Sequence, residues 1–197
     1  HQVVVISGSS GKHYAQIRHG APFDAFFAAD AERPRLLEEQ ALAIEGSRYT
    51  YALGSLVLWS RDESGVDGHQ GIPDPASIHH LAMANPRLAP YGQAAQQTLQ
   101  SLGLWQNLQG KLVFGENVAQ AFQFVFSGNA ALGLVAWPQV QTRQASGSYW
   151  RVPAELHRPI EQQAVQLSET VAVSEFMNYM RSEAARVIIL EHGYHLP

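Results

Sequence analysis

Short β-branched runs alternate along this chain with stretches that carry apolar residues at helical spacing. Val3-Val4-Val5-Ile6 is apolar at consecutive positions, which reads as a parallel strand buried on both faces. It stops in Ser7-Gly8-Ser9-Ser10-Gly11-Lys12. A helix through Tyr14, Gln16 and Ile17 follows, capped by Ser9 or Ser10 and ended by Gly20. Phe23 to Ala29 reads as a second apolar strand. Asp30 then caps a helix through Glu32, Leu36, Leu37 and Ala41, with Pro34 tolerated in its first turn. This βαβα order with short loops is the grammar of a wound α/β sheet.

Arg48 to Ser60 breaks the rhythm. It is one long β-prone run with Gly54 in its middle, the mark of a bent strand and a candidate hinge between two α/β halves. Residues 61–77 are polar and turn-rich. The βα rhythm then resumes with a strand at 79–83, a loop at 85–92 and a helix from Gln93 to Leu102 stopped by Gly103. A strand at 111–114 leads to Asn117, which caps a helix containing Val118, Ala121, Phe122 and Val125 and ending at Gly128. Ala131 to Trp137 is a buried strand, and 143–147 a polar loop. A strand from Pro159 to Leu167 and an amphipathic helix from Ser168 to Ser182 follow. The latter has Val171, Phe176, Met177 and Met180 on its core side. A short helix from Ala184 to Glu191 ends at Gly193.

Composition narrows the function classes. The chain has 197 residues, 46% of them apolar and only 15% charged, enough for one large domain or two small lobes with a real core. Its net charge of −4 supplies no basic field for nucleic acid. Trp59, Trp105, Trp137 and Trp150 do not alternate with basic residues as a base-stacking platform would. There is no cysteine, which excludes disulfides, thiolate catalysis and Cys-held metals. No apolar run reaches the length of a membrane span and no signal peptide is present. The chain opens directly on a strand, so a further N-terminal portion is expected ahead of His1.

Three strand-to-helix junctions carry the candidate chemistry: Ser10, Tyr91-Gly92 and Asn117-Val118. A helix start leaves backbone N–H groups without partners and carries partial positive charge, so each is suited to an anion. With so little positive charge, such an anion must be held by local geometry. Gly8-Ser9-Ser10-Gly11-Lys12-His13 lacks both the spacing and the final hydroxyl of a P-loop. Gly8-Ser9-Ser10-Gly11 also misses the Gly-x-Ser-x-Gly of a nucleophile elbow. His79 and His80 point to opposite faces of a strand, and Glu191-His192-Gly193-Tyr194-His195 is not a zinc-binding motif, so a metal site is not favoured. An enzyme using the same anion loop would need Lys12 or His13 as its titratable group.

Together these residues resemble the periplasmic molybdate-binding component of ABC transporters, a class II solute-binding protein family. The resemblance is carried by Ser9-Ser10-Gly11-Lys12, by Gly20-Ala21-Pro22-Phe23-Asp24 through Asp30, and by Leu53-Gly54-Ser55-Leu56-Val57-Leu58. It continues through Ala84-Asn85-Pro86, Ala89-Pro90-Tyr91-Gly92, Glu116-Asn117-Val118 and Gly133-Leu134-Val135. It implies a two-lobed α/β fold with mixed sheets, flanking helices and a two-strand hinge. Lobe I is expected at 1–55 plus 141–197 and lobe II at 56–140.

The resemblance also implies capture rather than catalysis. Molybdate or tungstate would be held in an inter-lobe cleft by neutral hydrogen bonds: the hydroxyl and amide of Ser10 and the amides of Tyr91 and Val118, supported by Ser9, Gly11, Pro90 and Asn117. Donors without an acceptor carboxylate favour a fully ionised dianion over a protonated phosphate, and cavity size would exclude the smaller sulfate. No cofactor is expected. The implied setting is a periplasmic monomer that delivers its ligand to a membrane permease, with closure at Leu53-Gly54 and near Trp137-Pro138. Another oxyanion such as sulfate is the alternative ligand, and an enzyme the alternative class. The family's first βα unit, about 30 residues, is expected to be missing ahead of His1.

Overall fold

The computed structural model of the protein describes residues 2–68, 71–143 and 145–197. The predicted loops at 61–77 and 143–147 therefore include His69, Gln70 and Gln144, which lie outside the described residues. The first elements are α1 (Ser10–Arg18), β1 (Ala25–Ala28) and α2 (Glu32–Glu39). Asp30 does cap the α2 turn: one carboxylate oxygen accepts from the Arg33 amide at 2.8 Å while the other takes the Arg33 guanidinium at 2.7 Å. β2 (Tyr49–Gly54) and β3 (Leu56–Ser60) are separated by Ser55 alone. Then come β4 (Leu81–Ala84), α3 (Pro90–Ser101), the single-turn α4 (Trp105–Leu108), β5 (Leu112–Gly115) and α5 (Val118–Phe126). The chain finishes with β6 (Leu132–Ala136), α6 (Trp137–Thr142), β7 (Ser148–Arg151), β8 (Ile160–Gln166), α7 (Val171–Met180) and α8 (Glu183–Glu191).

The elements fall into two compact units. One holds everything up to Leu53 together with Glu161–Pro197, and the other is Gly54–Ile160. The chain thus leaves the first unit at the glycine inside the long β-prone run, and that run is two strands belonging to two different sheets. The return lies at 160/161. Residues 141–160, assigned to lobe I on sequence, belong with the second unit because β7 within them pairs antiparallel with β3, Leu58 opposite Trp150. Ser148-Tyr149-Trp150-Arg151 is too short and too polar to announce a strand, and only its partner makes it one.

In the first unit the sheet order is β1-β8-β2. β1 and β8 are antiparallel with Phe26 opposite Val165. Strand alternation sends Phe26, Ala28 and Val165 toward Ile17 of α1 and Leu37 of α2, while Ala25, Phe27 and Ala164 meet Val173 and Met177 of α7. The unit is therefore a sheet with helices on both faces. Tyr49 and Tyr51 of β2 pack on the α7 side, where Phe27 meets Tyr51 and Phe176 edge-on.

Val3-Val4-Val5-Ile6 is not the buried strand its pattern predicts. The four residues are 59–79% exposed and pair with no strand among the described residues. β-branched residues favour an extended backbone, but a strand exists only where a neighbour supplies ladder hydrogen bonds. This segment instead borders an apolar cavity of about 750 Å³ lined also by Phe23, Phe27 and Phe176, next to the edge strand β1.

The second unit is built on a five-stranded sheet of order β5-β4-β6-β3-β7. β4 runs parallel to both β5 and β6, while β3 is antiparallel to β6 and β7. Every residue of β3, β4 and β6 is buried, as expected of central strands covered on both faces. On one face α5 packs Phe122 flat against Trp59, ring centroids 4.8 Å apart and planes within 7°. Gly133 lets α5 approach the sheet, since a Cβ there would lie 2.5 Å from Val125 Cγ2.

Candidate anion-binding site

The three helix starts singled out on sequence are α1, α3 and α5. Ser9 caps α1 with an extended backbone (φ −77°, ψ 146°), and its hydroxyl oxygen accepts from the Lys12 amide at 3.4 Å. Its carbonyl accepts from the His13 amide at 3.1 Å. Ser10 is then the first helical residue, and both serines are buried. Ser10 Oγ accepts from the Ala29 amide at 3.0 Å, tying the helix start to the end of β1. A hydroxyl that accepts in this way still has its own proton to donate. The amides of Ser10 and Gly11 meet no acceptor among the described residues, as expected of a helix's first positions.

In the second unit α3 and α5 begin at the carboxyl ends of the adjacent parallel strands β4 and β5, where Ala84 lies beside Gly115. Ala89 caps α3 with extended backbone and no side-chain hydrogen bond. Pro90 occupies the first helical position, so the helix's first N–H belongs to buried Tyr91. The carbonyl of Ala89 accepts from both Gly92 and Gln93, at 2.9 and 3.1 Å. Gly92 is required here: a Cβ would sit 2.4 Å from the Ala84 carbonyl oxygen, because α3 starts pressed against the 84–85 peptide. Asn117 caps α5 as predicted, its Oδ1 accepting from the Gln120 amide at 2.9 Å. The amides of Val118 and Ala119 meet no acceptor among the described residues.

The structure thus brings Tyr91 and Val118, with Pro90 and Asn117, to one sheet edge in the second unit. Ser10, with Ser9 and Gly11, stands at a helix start in the first unit that follows no strand among the described residues, contrary to the strand-to-helix junction read from the sequence, and is tied instead to the end of β1. None of the three helices has an acidic residue in its first turn, whereas α2 and α8 open with Glu32 and Glu183. Carboxylates meet the helix dipoles of α2 and α8 from within the first turn, and the first turns of α1, α3 and α5 carry no carboxylate of their own.

The His13 ring does not pair with either serine's hydroxyl. His13 Nδ1 lies 3.0 Å from Gln16 Oε1, and its ring packs edge-on against Phe23 at 5.7 Å. No hydrogen bond joins that ring to a side chain of either serine among the described residues, and Ser10 Oγ accepts from the Ala29 amide. Two features of the site were not anticipated on sequence. The Ala29 contact joins residues 19 apart and leaves no local trace. Gln120, whose Oε1 accepts from the Glu116 amide at 2.6 Å, was legible: Asn117-x-x-Gln120 has the spacing of a capping box.

A family model for bacterial extracellular solute-binding proteins matches residues 1–195. The chain belongs to this family. Within it, the molybdate-binding protein ModA of Rhodobacter capsulatus is 42% identical over 197 residues, covering 98% of this chain and 77% of the relative. ModA of Azotobacter vinelandii is 43% identical over 201 residues, covering all of this chain and 80% of the relative. The solved periplasmic molybdate-binding protein of Azotobacter vinelandii superposes with a TM-score of 0.94 at 44% identity, over all of this chain and 88% of that one. The sulfate-binding protein SubI of Mycobacterium tuberculosis, at 13% identity and a TM-score of 0.74, shares the fold. Members of this solute-binding family are binding proteins rather than enzymes, and the mixed α/β sheets with flanking helices described above are the periplasmic-binding-protein fold.

Proposed function

We propose that this solute-binding protein is the periplasmic component of an ABC importer and captures molybdate or tungstate for a membrane permease. Ser10, Tyr91 and Val118 are the donors we assign to the oxyanion, with Ser9, Gly11, Pro90 and Asn117 shaping their helix starts. The observation that carries this reading is the set of three helix N-termini with neutral caps and no first-turn carboxylate. Their resources are amide and hydroxyl donors alone, which suits an anion with acceptors on every side. A monohydrogen phosphate brings a proton that is best met by a carboxylate, and this set of donors includes none. The chain's overall negative charge works against distant attraction, so enclosure by oriented dipoles must supply the affinity. The 42–43% identity to two ModA proteins over nearly the whole chain points to the same ligand class.

Isothermal titration of this chain with molybdate, tungstate, sulfate and phosphate tests the reading. Molybdate and tungstate are expected to bind at least about tenfold more tightly than sulfate and phosphate, a difference of about 1.4 kcal/mol. Equal affinity for phosphate and molybdate refutes the selectivity, and no heat with any oxyanion refutes the function.

A further inference from the structure

The first turn of α5 is closed by two side chains acting in opposite directions. Gln120 Oε1 accepts from the Glu116 amide at 2.6 Å, and Asn117 Oδ1 accepts from the Gln120 amide at 2.9 Å. They occupy the amides of Glu116 and Gln120, and the amides of Val118 and Ala119 between them meet no acceptor among the described residues. Packing fixes the same turn. An added Cβ on Gly115 would fall 2.7 Å from the Ala121 nitrogen and 2.9 Å from the Asn117 carbonyl oxygen, so the strand end lies directly on the helix turn. The Gly115 carbonyl in turn accepts from the Asn85 amide at 2.7 Å, which links the α5 start to the residue that follows β4 and leads into α3.

We propose that Gln120 is a positioning residue that sets the direction of the Val118 amide and thereby the oxyanion selectivity; this rests on the function proposed above. Its side chain touches no ligand in this assignment. It holds the 116–120 turn so that Val118 presents its N–H at a fixed angle. A glutamate could close the turn in the same way, since its carboxylate oxygen can accept from the Glu116 amide as Gln120 Oε1 does. It would also add a negative charge to a helix start assigned to a dianion. Glutamine supplies the acceptor without the charge, in keeping with the absence of first-turn acids in α1, α3 and α5.

The test compares Gln120→Ala and Gln120→Glu with the natural chain by calorimetric titration of molybdate and of sulfate, with unliganded thermal unfolding measured alongside. Gln120 is exposed, so both variants are expected to fold. Gln120→Ala is expected to raise the molybdate Kd about three- to tenfold, the span of one ordinary hydrogen bond. It is also expected to lower the molybdate-to-sulfate affinity ratio about threefold or more, because a loosened amide fits either anion. Gln120→Glu is expected to restore that ratio while weakening both anions together, a loss that added salt relieves. The ratio is the deciding readout, since a merely structural role lowers the unfolding temperature without moving it. An unchanged ratio in Gln120→Ala, in a natural chain that binds molybdate, overturns the positioning role alone. A natural chain that binds no molybdate overturns the proposed function, and the role of Gln120 with it.

Discussion

Replacing Ser10 with alanine separates two things that its single oxygen does. The Oγ accepts from the Ala29 amide at 3.0 Å, and its proton remains to be donated. Losing the acceptor leaves the half-buried Ala29 amide to find water, at a cost of about 1 kcal/mol. For a chain of this size that lowers the unfolding temperature by about 2–4 °C. Losing the donor removes a hydrogen bond to a charged ligand, about 1.5–3 kcal/mol, or roughly a 10- to 150-fold rise in Kd. The companion variant Ser9→Ala removes only the cap on the Lys12 amide. It is expected to cost about 1 kcal/mol of stability while leaving the molybdate Kd within about threefold, since no ligand hydrogen bond is lost. Calorimetry with molybdate and thermal unfolding without it, on both variants, read the two effects separately. Molybdate affinity in Ser10→Ala within about twofold of the natural chain, smaller than any ordinary hydrogen-bond loss, would show that the hydroxyl is not a ligand donor.

Gly92→Ala must displace either α3 or the 84–85 peptide, because its methyl would meet the Ala84 carbonyl oxygen at 2.4 Å. The expected loss is about 1–3 kcal/mol in denaturant titrations, and an unaltered midpoint would argue against that close approach. At high pH the tyrosines on the α7 side of the first unit dominate. Burial raises the Tyr51 phenol above its ordinary value, and the neighbouring Tyr194 and Tyr49 add to the shift. The unfolded chain then loses this proton first, so stability is full below pH about 10 and falls as pH rises beyond it. Thermal unfolding from pH 8 to 11 is expected to show that fall, less steeply in Tyr51→Phe; identical profiles would refute the assignment.

The parts of the fold visible in the sequence are those made by neighbours along the chain. Ser9, Asp30 and Asn117 cap helices because their side chains reach amides three residues on, and those contacts need no tertiary information. Gly20, Gly103, Gly128 and Gly193 take positive φ where helices stop, so those ends were legible too. Strands were harder. Val3 to Ile6 has more β-branched residues than Ser148-Tyr149-Trp150-Arg151, yet only the latter is a strand, since β3 lies beside it. The boundary between units was misplaced at the return for the same reason: a segment's membership is decided by its partner, here β3 for β7. Of the site, the three helix starts could be read directly, whereas the Ala29 amide that holds Ser10 could not.

The order β1-β8-β2 in the first unit has a consequence for how the chain reaches its fold. β8 is the middle strand, and β1 pairs with residues 163–166, so the sheet lacks its centre until the whole second unit has been made. A flexible loop from Ala28 to Gln163 is entropically expensive to close, and contacts so distant in sequence form slowly. The second unit escapes this, being one continuous stretch from Gly54 to Ile160. Once it folds, the Val152 amide donates to the Leu56 carbonyl at 3.1 Å, bringing the outgoing chain back beside the incoming one. The long loop is then largely closed before β8 docks. Folding is therefore expected to run from the inserted unit outward, with the strand β1 among the last to find its sheet.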